Sequence, residues 1–245
     1  MSAAQLGTAD LPRHLACVMD GNSRWAAARG QPASAGHAAG VEALRRTVTE
    51  CLRLQIEALT VFAFSIENWQ RSDAEVAFLL CLIQSTLTKE LQQLQQQGVR
   101  LRFAGDLARL PFNLQTLIKT AAAATVANVR LTLTICLSYG AQQDVASACR
   151  DLAAEVATGR LAAADITPKL LASRLATAGL PPLDLLLRPG GERRLSNFLC
   201  LEAAYAELVF LDCAWPEFGP AQLHAALQEY ASRQRRFGRR PAADW

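Results

Sequence analysis

"CVMDGNSRWAAARG", residues 17–30, decides how the chain folds. An apolar run ends at Met19, and Asp20, Gly21 and Asn22 follow at once. From Ser23 a helical segment carries Arg24, Trp25 and Arg29. A buried strand that breaks at a glycine and re-forms as a helix is the first half of a β–α unit. In an open parallel sheet, ligands bind outside the carboxyl ends of the strands. Gly21 lets the backbone approach a ligand closely. The helix start offers free N–H groups to an anion, and the arginines add charge-assisted donors. A carboxylate beside a bound phosphate is repelled by it, and a divalent cation held by Asp20 resolves the conflict. Read alone, Asp20 fits a helix N-cap equally well.

Outward from this stretch, the same alternation repeats. Strands are expected at 15–19, 59–64, 99–104, 130–137, 183–187 and 208–211, mostly apolar throughout. Such strands suit a parallel sheet buried on both faces. Helices are expected at 37–54, 73–97, 114–127, 142–157, 168–178 and 220–235. The long one starts at a Ser-Asp cap and stops at Gly98. The pattern predicts an α/β fold, a central mostly parallel sheet flanked by helices, as a single domain over 1–245. Along the long helix, Val76, Leu79, Leu80, Ile83, Leu87 and Leu91 fall near helical spacing. That stripe reads either as a core face or as the wall of a long apolar pocket.

Composition narrows the function. The chain has 245 residues, 51% of them hydrophobic, enough for a sizeable core. A formal net charge of +3 gives no argument for nucleic acid. The seven cysteines form no C-x-x-C pair and mostly sit in apolar runs, which points to a reducing, cytoplasmic setting without disulfides. There is no apolar signal core and no stretch long enough to span a membrane, so membrane contact is at most peripheral. Arginines crowd two places: Arg188, Arg193 and Arg194, and the run Arg233, Arg235, Arg236, Arg239 and Arg240. The second reads equally as a solvated surface.

Polar clusters follow other strands as well. Ser65, Asn68, Trp69 and Arg71 follow the second. "RPGGERRLSNF" (188–198) follows the fifth, and Arg188, Arg194 and Ser196 there can surround a second phosphate. Glu207 stands at the entry to the last strand, the opposite end by strand direction. Two phosphate-like sites, a metal-competent acid and an apolar-walled helix suit a substrate with a diphosphate head and a hydrocarbon tail.

"HLACVMDGNSRWAAARG", "GHAAG", "FAFSIENWQR", "RPGGERRLSNF", "AYAEL" and "WPEF" resemble, in order and over about 14–238, the cis-prenyltransferases, the family of undecaprenyl diphosphate synthase. The resemblance implies a dimeric α/β fold with an apolar tunnel beside the sheet. It implies that isopentenyl diphosphate extends an allylic diphosphate, farnesyl diphosphate, with Mg2+, giving a Z-polyprenyl diphosphate such as undecaprenyl diphosphate. By resemblance, Asp20 binds Mg2+ and assists departure of the allylic diphosphate. Gly21, Asn22, Arg24, His37 and Arg71 surround that diphosphate, and Trp25 is a further substrate-binding residue. Ser65, Asn68 and Trp69 line the reacting centre. Arg188, Arg194 and Ser196 hold isopentenyl diphosphate, and Glu207 helps place the metal. It also implies a homodimer that meets the membrane only through its product.

The chain departs from the family pattern. Ala33 stands where the family has an arginine that grips the allylic diphosphate. "SYGAQ" replaces "NYGGR", so Ser138, Ala141 and Gln142 stand for Asn, Gly and Arg. After "SNF", Leu201 and Glu202 stand for Trp and Gln. Leu131 and Ala63 fall where members set chain length. These changes leave two alternatives beside the leading one: a divergent paralogue making a short or irregular terpenoid diphosphate, and a non-catalytic partner subunit. Such subunits lose the metal-binding acid, which this chain keeps.

Overall fold

The computed structural model describes residues 11–234. The arginines at 235–240 and the family-like residues to 238 lie outside them, as does residue 235 of the helix expected over 220–235, which ends at Ser232 because Arg233 is extended. The described chain forms two compact units. One joins the residues up to Ile56 with Pro182–Arg193 and the chain from Glu202 onward; the other takes Glu57–Pro181 and Arg194–Leu201.

In the first unit, strands β1 (His14–Val18), β5 (Leu185–Arg188) and β6 (Glu207–Phe210) lie in the order β1-β5-β6. All pair in parallel, with Leu15 opposite Leu185 and Leu185 opposite Glu207. β1 and β5 are buried along their whole length, which is why their sequences run apolar rather than alternating. The short helix α1 (Asn22–Ala27) follows β1, and α2 (Ala33–Arg53) follows α1. α2 begins four residues before the expected start at His37. Pro32 sits at its N-cap in an extended conformation, and a proline admits a helix directly after it. The buried face of α2 includes Gly36, Gly40, Ala43, Thr47, Val48 and Cys51, at three- and four-residue spacing. It packs on α1, on the 3-10 turn Trp215–Glu217 and on α7 (Pro220–Ser232). Gly36 permits the close approach to α1, since a Cβ there would meet the Asn22 carbonyl oxygen at 2.0 Å. Trp215, 1% exposed, donates its indole N–H to the Gly40 carbonyl at 2.8 Å and stacks on Phe218.

In the second unit, β2 (Ala58–Ser65), β3 (Val99–Ala104) and β4 (Leu131–Tyr139) lie in the order β3-β4-β2, again parallel. Helix α3 (Asp73–Gln96) connects β2 to β3, and α4 (Phe112–Ala124) connects β3 to β4. α5 (Ala141–Ala157) and α6 (Pro168–Ala172) follow. The Ser72 hydroxyl caps α3 by accepting the Glu75 N–H. Parallel pairing in both units, with helices between strands, is the expected α/β class.

The stripe along α3 serves both expected purposes. Leu79 and Leu87 are buried in the core. Val76 and Leu80 line a cavity of about 810 Å3 between α3 and the start of α4, with Trp69 at the end where α3 begins. Ala77, Pro111 and Leu114 add to the apolar lining, and Gln84, Ser85, Thr88 and Lys89 bring polar groups to it.

Candidate active site

The first unit gathers its charged groups at the C-terminal ends of β1 and β5. Arg188 is the last residue of β5 and only 4% exposed. Its guanidinium donates to Asp20 Oδ2 at 2.9 Å. Asp20 Oδ1 accepts the Gly21 N–H at 2.6 Å and an Arg24 N–H at 3.3 Å. Arg24 also reaches Glu192 at 3.5 Å. The backbone fixes this arrangement: the Trp215 N–H donates to the Asp20 carbonyl, and the Gly190 N–H to the Cys213 carbonyl, both at 2.8 Å.

Asp20 is not a helix cap. Gly21 holds that position, with φ 92°, a conformation that suits glycine. The six residues of α1 make a weak dipole. Attraction for an anion therefore rests on the arginines rather than on the helix start. Burial pushes the Asp20 carboxyl up, but hydrogen bonds from Arg188 and Gly21 and the charges of Arg188 and Arg24 outweigh it. Its pKa sits below the ordinary value, so Asp20 is an ionised, partly exposed oxygen donor.

The neighbouring residues support this cluster. The Asn22 amide donates to the Met19 carbonyl at 3.1 Å. Arg29 lies over the Trp25 ring, with Cζ 4.2 Å from its centroid, and pairs with Glu217 at 2.9 Å. The Trp25 indole N–H is buried with no hydrogen-bond partner among the described residues. His37 is part-buried on the second turn of α2, and Ala33 is exposed at the helix start.

Glu207 is not brought to Asp20. It is the first residue of β6, level with Leu185, three residues before Arg188. That separates it from the Arg188 end by about 10 Å along the strands. Its carboxylate pairs with Arg233 at 2.8 Å instead. The expected two-acid metal pair does not form within this chain, and the parallel register is the reason. Among the described residues no group of three or more His, Cys, Asp or Glu could hold a metal.

In the second unit, Ser65 and Asn68 hold each other. The Ser65 N–H donates to Asn68 Oδ1 at 2.9 Å, and the Asn68 N–H donates to Ser65 Oγ at 3.3 Å. This capping box builds the 3-10 turn Ile66–Gln70 that presents Trp69. Arg71 pairs with Glu75 at 2.6 Å. Arg194 and Ser196 are exposed, and Ser196 has φ 51°.

Asn197, to which the sequence reading gave no role, holds the loop carrying Ser196. It has φ 61°; its amide donates to Glu67 Oε1 at 2.9 Å and Gln143 Oε1 at 3.1 Å, and its Oδ1 accepts the Gln142 N–H at 2.9 Å. Gln142 thus joins the loop through its backbone, a bond that the replaced side chain does not affect. An asparagine inside a loop is a known signal for left-handed backbone. Its partners are 54 to 130 residues away, which no local pattern reveals. No described helix is long and apolar enough to cross a membrane.

The family model described as "Putative undecaprenyl diphosphate synthase" matches residues 18–238. The ditrans,polycis-undecaprenyl-diphosphate synthase ((2E,6E)-farnesyl-diphosphate specific) of Xanthomonas axonopodis pv. citri is 48% identical over 231 residues, covering 94% of this chain and 90% of the relative. The protein of the same description from Pseudomonas aeruginosa is 47% identical, covering 94% and 91%. Lavandulyl diphosphate synthase from Lavandula x intermedia, solved with dimethylallyl diphosphate, superposes with a TM-score of 0.91 at 34% identity, covering 94% of this chain and 99% of its own.

Proposed function

The chain belongs to the undecaprenyl diphosphate synthase family of prenyltransferases, and from that premise we propose that it extends farnesyl diphosphate with isopentenyl diphosphate. The product is a Z-polyprenyl diphosphate such as undecaprenyl diphosphate. The primer is read from the relatives, which are named for farnesyl diphosphate. One observation carries the assignment of chemistry: the ionised Asp20 between Arg188 and Arg24 at the carboxyl ends of β1 and β5.

Arg24 can leave Asp20 for diphosphate oxygens, since a guanidinium matches a phosphate edge with two parallel donors. Arg24 is more than half exposed and free to swing; Arg188 is buried and fixed. Gly21 and Asn22 bring backbone close, and the Trp25 indole offers a further donor. Mg2+ favours octahedral oxygen ligation through one or two carboxylates plus substrate phosphate, so a single ionised Asp20 suits it. When bound there, Mg2+ supplies charge neutralisation for the departing diphosphate. Arg24 aims further positive charge at the same oxygens as the allylic C–O bond breaks, and Arg188 is directed to isopentenyl diphosphate. A C–C bond then forms between the allylic carbon and the isopentenyl alkene, whose proton passes to the released diphosphate or to water. Arg194 and Ser196 bind isopentenyl diphosphate in this reading. The cavity along α3, apolar beside Val76 and Leu80, takes hydrocarbon. A homodimer in the cytoplasm, touching the membrane only through its product, completes the proposal and rests on the family.

A second reading has its own support. Ala33 removes a cation from the start of α2, and the likeness to lavandulyl diphosphate synthase is strong. On that reading the chain makes a short or irregular terpenoid diphosphate. The test is incubation with Mg2+ and labelled isopentenyl diphosphate against dimethylallyl, geranyl and farnesyl diphosphates, with chromatography of product length. Long-chain product from farnesyl diphosphate supports the first reading, and short or branched product from dimethylallyl diphosphate the second. Absence of product with every primer overturns both.

A further inference from the structure

We propose that Ser138 is a positioning residue that fixes the Trp69 indole against the cavity and so sets the affinity for the allylic substrate. The proposal rests on the reading of Trp69 as a substrate-lining residue. Ser138 is 1% exposed, near the end of β4, with φ 49°. Serine is uncommon in left-handed backbone, and a strained residue kept at a site points to a use for it. Here the use is visible. In this conformation the Ser138 hydroxyl accepts the Trp69 indole N–H at 3.0 Å.

The same residue holds the other side of the ring. The Ser138 carbonyl accepts the Asp106 N–H at 3.1 Å. Asp106 leads into the 3-10 turn Leu107–Arg109, and the Arg109 guanidinium lies over the Trp69 ring, Cζ 4.5 Å from its centroid. Phe64 meets the ring edge-on, with centroids 5.1 Å apart at 80°. The indole is thus fixed by a hydrogen bond, a cation and an aromatic edge, and two of these run through Ser138. Trp69 lines the cavity where α3 begins. A ring free to rotate there would cost the substrate an ordering step on binding, without touching the bond that breaks.

Glycine and asparagine at this position separate backbone from hydroxyl. Glycine accepts the left-handed conformation but offers no acceptor; asparagine tolerates it and offers an amide oxygen. The experiment compares wild type, Ser138→Gly and Ser138→Asn. It reads steady-state kinetics on the allylic diphosphates and the 15N-indole resonance of Trp69, identified with Trp69→Phe, with and without farnesyl diphosphate. In Ser138→Gly, KM for the allylic diphosphate is expected to rise about fivefold, equivalent to one hydrogen bond of about 1 kcal/mol, with kcat within twofold. Its indole resonance is expected to shift, and Ser138→Asn to restore both values. An unshifted resonance and unchanged KM in Ser138→Gly overturn the proposal, as does equal impairment of the two variants. A wild type without turnover on any primer overturns the proposed function, while the resonance still decides the positioning.

Discussion

Two acid–arginine clusters in the same unit invite comparison. Asp20 lies with Arg188 and Arg24; Glu50 lies with Arg53 and His224. Both acids have pKa values below the ordinary range. The causes differ. At Asp20, burial is the largest influence and acts upward, against Arg188, Gly21 and Arg24. At Glu50, the Arg53 hydrogen bond is largest and acts downward, with burial opposing and His224 adding to it. The surroundings differ more. Glu50 joins α2 to His224 of α7, and its side chain is 10% exposed. Asp20 is 27% exposed at two strand ends, beside glycines and a movable arginine. A perturbed acid is therefore no mark of a site; accessibility is what sets Asp20 apart from Glu50.

The sharpest way to break this contrast is Asp20→Ala. Turnover is expected to fall about 10^2- to 10^3-fold, the scale of a lost charge-stabilising group. Melting temperature should fall as well, because Arg188 is left buried without this carboxylate. Initial rates and a thermal melt on one preparation check both. Arg188→Lys is expected to act less strongly, about tenfold in kcat/KM for isopentenyl diphosphate, since lysine keeps the charge but loses the fork. Substrate titration distinguishes it from a stability effect.

The Glu50 cluster should move stability and leave turnover alone. Glu50→Gln is expected to cost about 1–2 kcal/mol at pH 7, read by urea unfolding. The sign of its pH dependence follows from a lowered folded pKa. The stabilisation is complete above the ordinary glutamate value of about 4.3 and fades as pH falls through the folded value. Wild type should lose stability across that acid window faster than Glu50→Gln, and an identical slope would refute the account. His224→Gln is expected to do least, under about 1 kcal/mol, because Arg53 remains and glutamine keeps a donor.

Much of this was legible in the chain itself. All six strands fall within two residues of the expected bounds at either end, and β1 and β5, buried along their whole length, are the plainest because such parallel strands run apolar throughout. Half of the Asp20 cluster was legible from Gly21 and Arg24 after the first strand, and Arg188 from the arginine-rich loop after the fifth, while the second arginine of the opening stretch, Arg29, pairs with Glu217 instead. Most failures share one cause. α6 was expected to reach Ala178 but stops at Ala172. There the Asp144 carboxylate takes the Ala176 N–H, and Arg102 donates to the Ala176 and Ala178 carbonyls. Groups from β3 and α5 thus capture backbone that a longer helix would have used. Asn197 and Ser138 were obscure for the same reason: their partners lie far along the chain. Glu207 was legible by strand direction alone, which set it at the end away from Asp20.

The central claim is that the Asp20 cluster carries the chemistry while the Glu50 cluster carries only the fold. It is tested most directly by labelled isopentenyl diphosphate incorporation from farnesyl diphosphate with Mg2+, for wild type, Asp20→Ala and Glu50→Gln, at a temperature where all three are folded. The account predicts turnover in wild type and Glu50→Gln within twofold of each other, and its near-complete loss in Asp20→Ala. Turnover retained in Asp20→Ala, or lost equally in Glu50→Gln, would contradict it.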